Sequence, residues 1–219
     1  MLFRSKGENV RSSIGAVDQE KGHRWSLLYG NNVVRFHRLE DEVWLGFPLV
    51  QGTLDLGVPL PIRKSSIWLR TAAGYSPGDR DEPFANFFLG GFGNNWVDHG
   101  DVKRYRDAGS FPGIEIDEAA GTNYTRVMLD LNLPPHTFQR LGTPALYGSW
   151  LRFSLFGSGL VTNIDAPEVR RKLANLGVQA DLRIQVFARQ SMTFSTGYAR
   201  AFEGHVPAED EWMVSLKIL

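Results

Sequence analysis

The grouping that invites a metal reading in this 219-residue chain is Asp98, His99 and Asp101. One imidazole and two carboxylates could hold a divalent cation, but their spacing matches no established site. In a glycine-rich stretch the group reads as polar surface, and no metal is expected. GGFGNN, beginning at Gly90, has the glycine density of a phosphate loop. It lacks the Gly-Lys-Ser/Thr and the following helix that a phosphate loop needs. GSGL at Gly157 is not a nucleophile elbow. The histidines His23, His37, His99, His136 and His205 are scattered, and His136 lies in the turn PPHTF, where it reads as structural. The paired carboxylates Asp81–Glu82 and Glu209–Asp210 flank expected turns and read as solubilising. No catalytic constellation emerges, so neither an enzyme nor a cofactor is expected.

What remains is a run of cations around one aromatic, Lys103, Arg104, Tyr105 and Arg106, inside the long segment GFGNNWVDHGDVKRYRDAGSFPGIEIDEAAGTN. Such a run is ordinarily a solvated charge cluster. If buried, it needs an acidic partner, because an unpaired buried charge costs several kcal/mol. The other bulk properties exclude more than they assign. The 24 basic and 24 acidic residues cancel, and no Lys/Arg-rich stretch points to nucleic acid. Cysteine is absent, which removes disulfides, thiol nucleophiles and Cys-ligated zinc together. Mean hydropathy is −0.23, and no apolar stretch approaches the roughly 18 residues of a membrane helix. Contact with a membrane would therefore have to be made by strands.

The elements that would position these residues alternate with period two. EWMVSLKIL sets Trp212, Val214, Leu216 and Ile218 against Met213, Ser215 and Lys217. NYTRVMLDLNL sets Val127, Leu129, Leu131 and Leu133 against Arg126, Met128, Asp130 and Asn132. The pattern recurs around Asp55, Arg70, Arg152, Arg183 and residues 191–202, and more weakly at 9–17, 22–30 and 84–91. The expectation is about ten strands, most near the 9–11 residues of a membrane-spanning strand. One helix is expected in NIDAPEVRRKLANLG, with Asp165 as cap, Pro167 in the first turn and Gly177 as terminator.

Alternation alone leaves open which face is inside, since a soluble antiparallel barrel gives the same string. Two features favour a polar interior. Arg70, Arg126, Arg152 and Arg183 share mid-strand polar positions with Asp55, Asp130 and Asp181, and Trp68 and Trp150 accompany the arginines. Such residues can pair in a wet lumen. The chain also stops on an amphipathic strand, as outer-membrane barrels commonly do, although its last residue is Leu219 and not an aromatic. The first residues, MLFRSKGENV, show no charged and then apolar leader. The expectation is thus that residues 1–219 are the C-terminal portion of an outer-membrane β-barrel domain whose earlier strands and modules are missing.

At VKRYRDAGSFPG, followed by AAGTNY and a strand ending in LPP, the chain resembles the Omp85 superfamily. That superfamily comprises the barrels of BamA-like insertases, two-partner secretion transporters and bacterial surface antigens. The resemblance runs from about residue 43 onward. It implies an antiparallel up-and-down transmembrane barrel of roughly sixteen strands, with this segment as an extracellular loop folded into the lumen. The family carries Val-Arg-Gly-aromatic at this point. Here Lys103 stands at its arginine, Arg104 at its glycine and Tyr105 as the aromatic. The resemblance implies that Lys103, Arg104 or Arg106 pins the loop to a lumenal carboxylate, with Asp130 the candidate. The chain is also similar to the barrel end of larger envelope proteins with a propeller-like region.

The implied function is insertion or translocation of other proteins at the bacterial outer membrane. Its partners would be outer-membrane lipid, substrate proteins and envelope assembly factors, with no nucleic acid. Two alternatives stand beside it. One is a passive channel or membrane anchor for an N-terminal domain, and the other is a soluble β-barrel binding an apolar ligand.

Overall fold

The computed structural model describes residues 2–38, 41–93, 102–143, 145–187, 189–204 and 206–218. They form an all-β antiparallel structure whose strands are β1 (Leu2–Arg11), β2 (Lys21–Arg38), β3 (Asp41–Pro59), β4 (Ser66–Tyr75), β5 (Phe87–Leu89) and β6 (Ala119–Gly121). These are followed by β7 (Asn123–Asn132), β8 (His136–Thr143), β9 (Leu146–Thr162), β10 (Arg171–Val186), β11 (Gln190–Glu203) and β12 (Val206–Ile218). Helical structure among the described residues is confined to single 3-10 turns at Pro83–Ala85 and Arg104–Arg106.

The main sheet has 10 strands in the order β1-β2-β3-β4-β7-β9-β10-β11-β12, with β8 added on β9. β5 and β6 pair separately as a two-stranded ladder. The strands expected to make a barrel do not close one. β1 and β12 stand at opposite ends of the sheet, and no ladder joins them among the described residues. β9, β10, β11 and β12, with 17, 16, 14 and 13 residues, and the β2–β3 hairpin, with 18 and 19, are longer than the expected 9–11 residues. β1 stops opposite Gly30 and β4 stops opposite Val50, so the hairpin continues beyond both neighbours as a two-stranded ribbon.

The helix expected over 163–177 is not formed. Residues 163–170 make a turn in which Asn163 takes φ 51° and Ala166 N–H donates to the Asn163 carbonyl. From Arg171 the chain is strand. Val169, Leu173 and Leu176 do fit a helical stripe, but Leu173, Asn175, Gln179 and Asp181 fit a buried period of two. Pairing with β9 on one side and β11 on the other satisfies the backbone of both edges of β10, and that tertiary gain overrides local helix preference. The weak 84–91 candidate shrinks to Phe87–Leu89. Residues 12–20, partly assigned to a strand, form the β1–β2 turn.

The sheet is inverted relative to an ordinary soluble one. On β7, Arg126, Met128, Asp130 and Asn132 are buried, whereas Val127 and Leu129 are exposed. On β9, Ser154, Ser158 and Thr162 are buried while Phe153 and Leu155 face out. The edge strand β12 shows Trp212 at 73 % and Val214 at 69 % exposure, with Leu216 and Ile218 beside them. The cause is the segment between β4 and β7, which lies on the polar face and covers it.

Candidate functional site

The covering loop brings its own small apolar core. Leu89, Phe111, Ile114 and Ala119 pack with Ala72, Tyr124, Leu160, Leu173 and Ala201 of the sheet. Phe92 and Tyr105 pack with Met128, Phe156, Ala199 and Met213. Tyr105 stacks on Phe156 at 4.2 Å between ring centroids and 16° between planes. Gly113 needs to be glycine. It takes φ 104°, and a Cβ there would lie 2.6 Å from the backbone nitrogen of Ala201. The loop is tied down along its length by polar contacts to the sheet. The Glu211 carboxylate of β12 accepts from Phe92 N–H at 3.0 Å and Gly113 N–H at 2.9 Å. Asn175 Nδ2 donates to Pro112 O at 2.6 Å, and Arg171 bridges Glu118 of the loop (2.8 Å) and Glu203 of β11 (2.6 Å).

The basic run sits at the centre of this contact, on the 3-10 turn Arg104–Arg106. Residues i and i+3 eclipse in a 3-10 turn, so Lys103 and Arg106 project the same way. Both reach Asp18 in the β1–β2 turn, at 3.2 Å and 2.7 Å. Both also donate to the Asn132 side-chain oxygen, Arg106 at 3.0 Å. The contact to Asp130 falls to Arg106, whose Nε lies 2.9 Å from Oδ2. The Tyr105 hydroxyl donates to the other Asp130 oxygen at 2.9 Å. Arg104, half-buried, opens the same turn.

Around this centre the charges form one chain of pairs. Arg70 joins Asp130 at 3.1 Å to Asp55 at 2.6 Å. Arg152 joins Asp18 at 3.5 Å to Asp181 at 2.7 Å. Asp181 also accepts from Gln179 at 2.6 Å and Ser195 at 2.7 Å. The side chains of Arg70 and Arg152 lie over the rings of Trp68 and Trp150 at 5.0 Å and 5.3 Å. Lys103, Arg106, Arg70 and Arg152 thus face Asp18, Asp130, Asp55 and Asp181, cation for carboxylate. Neutrality of this kind lets such charges be buried together. Burial pushes the Asp18 carboxyl up, but Arg106, Lys103 and Arg152 outweigh it and hold the group well below its usual range. Lys103 is fully covered, and burial with the nearby Arg106 and Arg152 charges lowers its ammonium to about 7.

Not every residue expected in the network belongs to it. Lys103, Tyr105, Arg106, Asp130, Asp55, Arg70 and Arg152 meet there. Arg126 instead holds the loop backbone, donating to Tyr105 O at 2.6 Å and to Asp107 O. Arg183 is half-buried, and its side chain makes no hydrogen bond or ion pair among the described residues. Glu209 and Asp210, read as turn residues, lie within β12, where Asp210 accepts from the Tyr198 hydroxyl at 2.9 Å. Asp98, His99 and Asp101 lie outside the described residues, and among those described no group of metal-ligand side chains is assembled. Sequence reasoning missed Asp18, the most shared carboxylate, and Glu211. Glu211 was open to discovery, because period two places it with Met213 on the polar face.

No family model, curated protein or solved structure matches this chain.

Proposed function

We propose that this chain forms part of the wall of a transmembrane β-barrel of the bacterial outer membrane, and that the barrel serves insertion or translocation of other proteins. One observation carries the reading. The apolar face of the sheet is exposed along β4, β7, β9 and β12, while the polar face is covered by its own loop. A sheet in water gains by the opposite arrangement. In hydrocarbon the outward apolar face is the favourable one, and a polar lumen is normal. The lengths of β4 and β7, 10 residues each, suit a tilted crossing. The unpaired edges of β1 and β12 would then need partners, from each other, from further strands or from another chain, because lipid satisfies no backbone group.

The transport half of the reading rests on the resemblance of the Lys103–Arg106 segment to the lumenal loop of Omp85 barrels, and on the inward docking of that segment. The mechanism is physical: a covered lumen, a charge-pinned loop and a sheet with free edges. A ligand-binding soluble barrel would need apolar side chains on the covered face, where Arg70, Asp130 and Asp181 stand instead. The chain has no cysteine, so single spin labels can be placed by Leu129→Cys, Val214→Cys and, on the exposed part of the polar face, Lys6→Cys. In reconstituted vesicles the first two should be relaxed by oxygen and protected from a water-soluble nickel reagent, with Lys6→Cys showing the reverse. Equal nickel access at all sites in vesicle-bound protein would defeat the membrane reading.

A further inference from the structure

Between the polar faces of β1–β4 and loop residues 86–88 and 106–109 lies a cavity of about 1140 Å³. Its charge is not balanced as the neighbouring network is. Arg24 lies 3.3 Å from Glu8, and Arg70 holds Asp55, so those pairs cancel. Arg106 is answered by Asp130 and Asp18. Arg4, Lys6 and Arg126 remain in the wall, with Asp107 as the one further carboxylate.

Arg126 is the telling residue. It is buried in the wall of the cavity, yet its partners are the carbonyls of Tyr105 and Asp107 and the sulfur of Met128. No carboxylate pairs with it, and its Nε has no hydrogen-bond partner. Asp107 and Asp55 attract it only from beyond ion-pair distance, and a buried guanidinium with no carboxylate in contact is destabilising unless an anion supplies one. Arg4 and Lys6 alternate on the same face of β1, are exposed into the cavity and make no ion pair among the described residues. Low-dielectric walls lined by one sign of charge concentrate counter-ions.

We propose that this cavity is an anion-selective aqueous compartment, which draws small anions from solution to Arg126 past Arg4 and Lys6. The inference rests on the membrane reading above, because only a barrel lumen makes the cavity a route between two solutions.

The test uses the full chain reconstituted in planar bilayers under a KCl gradient, with insertion scored separately by protease protection in vesicles. The reversal potential should show chloride permeating better than potassium. The Arg4→Glu/Lys6→Glu variant alters exposed side chains and should keep the fold. It should lower the chloride-to-potassium permeability ratio about threefold or more, the screened effect of reversing two charges within roughly 10 Å of the path. Inserted protein that is non-conducting, indifferent to ion sign or unchanged by the double variant overturns the inference and leaves the membrane reading standing. Failure to insert overturns both.

Discussion

Asp130→Ala is the sharpest perturbation of the loop's docking. The side chain is fully buried, and it receives Arg70 at 3.1 Å and 3.2 Å, Arg106 at 2.9 Å and the Tyr105 hydroxyl at 2.9 Å. Removing one partner of a buried ion pair costs about 3–5 kcal/mol. Here the lower end applies, since Arg70 keeps Asp55 and Arg106 keeps Asp18 and Asn132. About 3 kcal/mol off the free energy that keeps the loop closed corresponds to roughly a hundredfold larger open population. Trypsin reads that population directly, because Lys103 and Arg106 are its targets and the first is fully covered when docked. The expected result is cleavage of this segment about a hundred times faster than in the parent, with strands otherwise intact by circular dichroism. Combining Asp130→Ala with Arg106→Ala should cost less than the sum of the two, by about 1–3 kcal/mol, because the residues share a contact. Cleavage within threefold of the parent, or strict additivity, would refute the view that Asp130 is the central anchor.

Tyr105→Phe removes one charge-assisted hydrogen bond and keeps the stack on Phe156, so loop closure should weaken by about 1.5 kcal/mol in the same trypsin assay. Acid should loosen the site through Asp18. Its carboxyl is held below the ordinary value of 3.8, so its contribution is complete above that value and falls away as pH drops below about 4. The indole N–H of Trp68 donates to Gln19 O beside Asp18, so a red shift of tryptophan emission on acidification should report the loss. Asp18→Asn should flatten that acid dependence, and an unchanged profile would remove Asp18 from the lock.

The β-rich pattern and the membership of each face were legible because period two is a backbone property that pairing does not alter. Val127 against Arg126 and Leu155 against Ser154 fall on opposite faces whatever covers them. The loop was legible as a unit, being long, bounded by glycine and marked by one short run of basic residues. Which cation meets Asp130 was not, because the answer depends on a 3-10 turn that aligns residue 103 with residue 106 and turns Arg104 away from that pair. Asp18 was hidden for a related reason. A carboxylate in a turn carries no periodic signal, and its three basic partners come from the loop and β9. The mistaken helix over 163–177 shows the reverse failure, in which a genuine local stripe loses to ladders on both sides.

Neutrality of the eight-charge chain bears on why an open sheet holds its form. Neighbouring strands sit about 4.8 Å apart, so β2 and β9, separated by β3, β4 and β7, are roughly 19 Å apart along the sheet. Asp18 and Arg152 nevertheless meet at 3.5 Å, and Gln19 reaches Trp68 of β4 at 3.1 Å. The β1–β2 turn therefore lies across the polar face and joins strands that share no ladder. The loop does the same on the other side, where Glu211 of the edge strand β12 grips Phe92 and Gly113. Ladder hydrogen bonds fix each strand to its neighbour and leave the sheet free to flex as a whole. Contacts that skip strands remove that freedom. Lys103, Arg106 and Tyr105 stand where the two cross-links meet. Undocking this one turn should therefore loosen both ends of the sheet together, and the edges that remain unpaired in the described structure are the parts most affected.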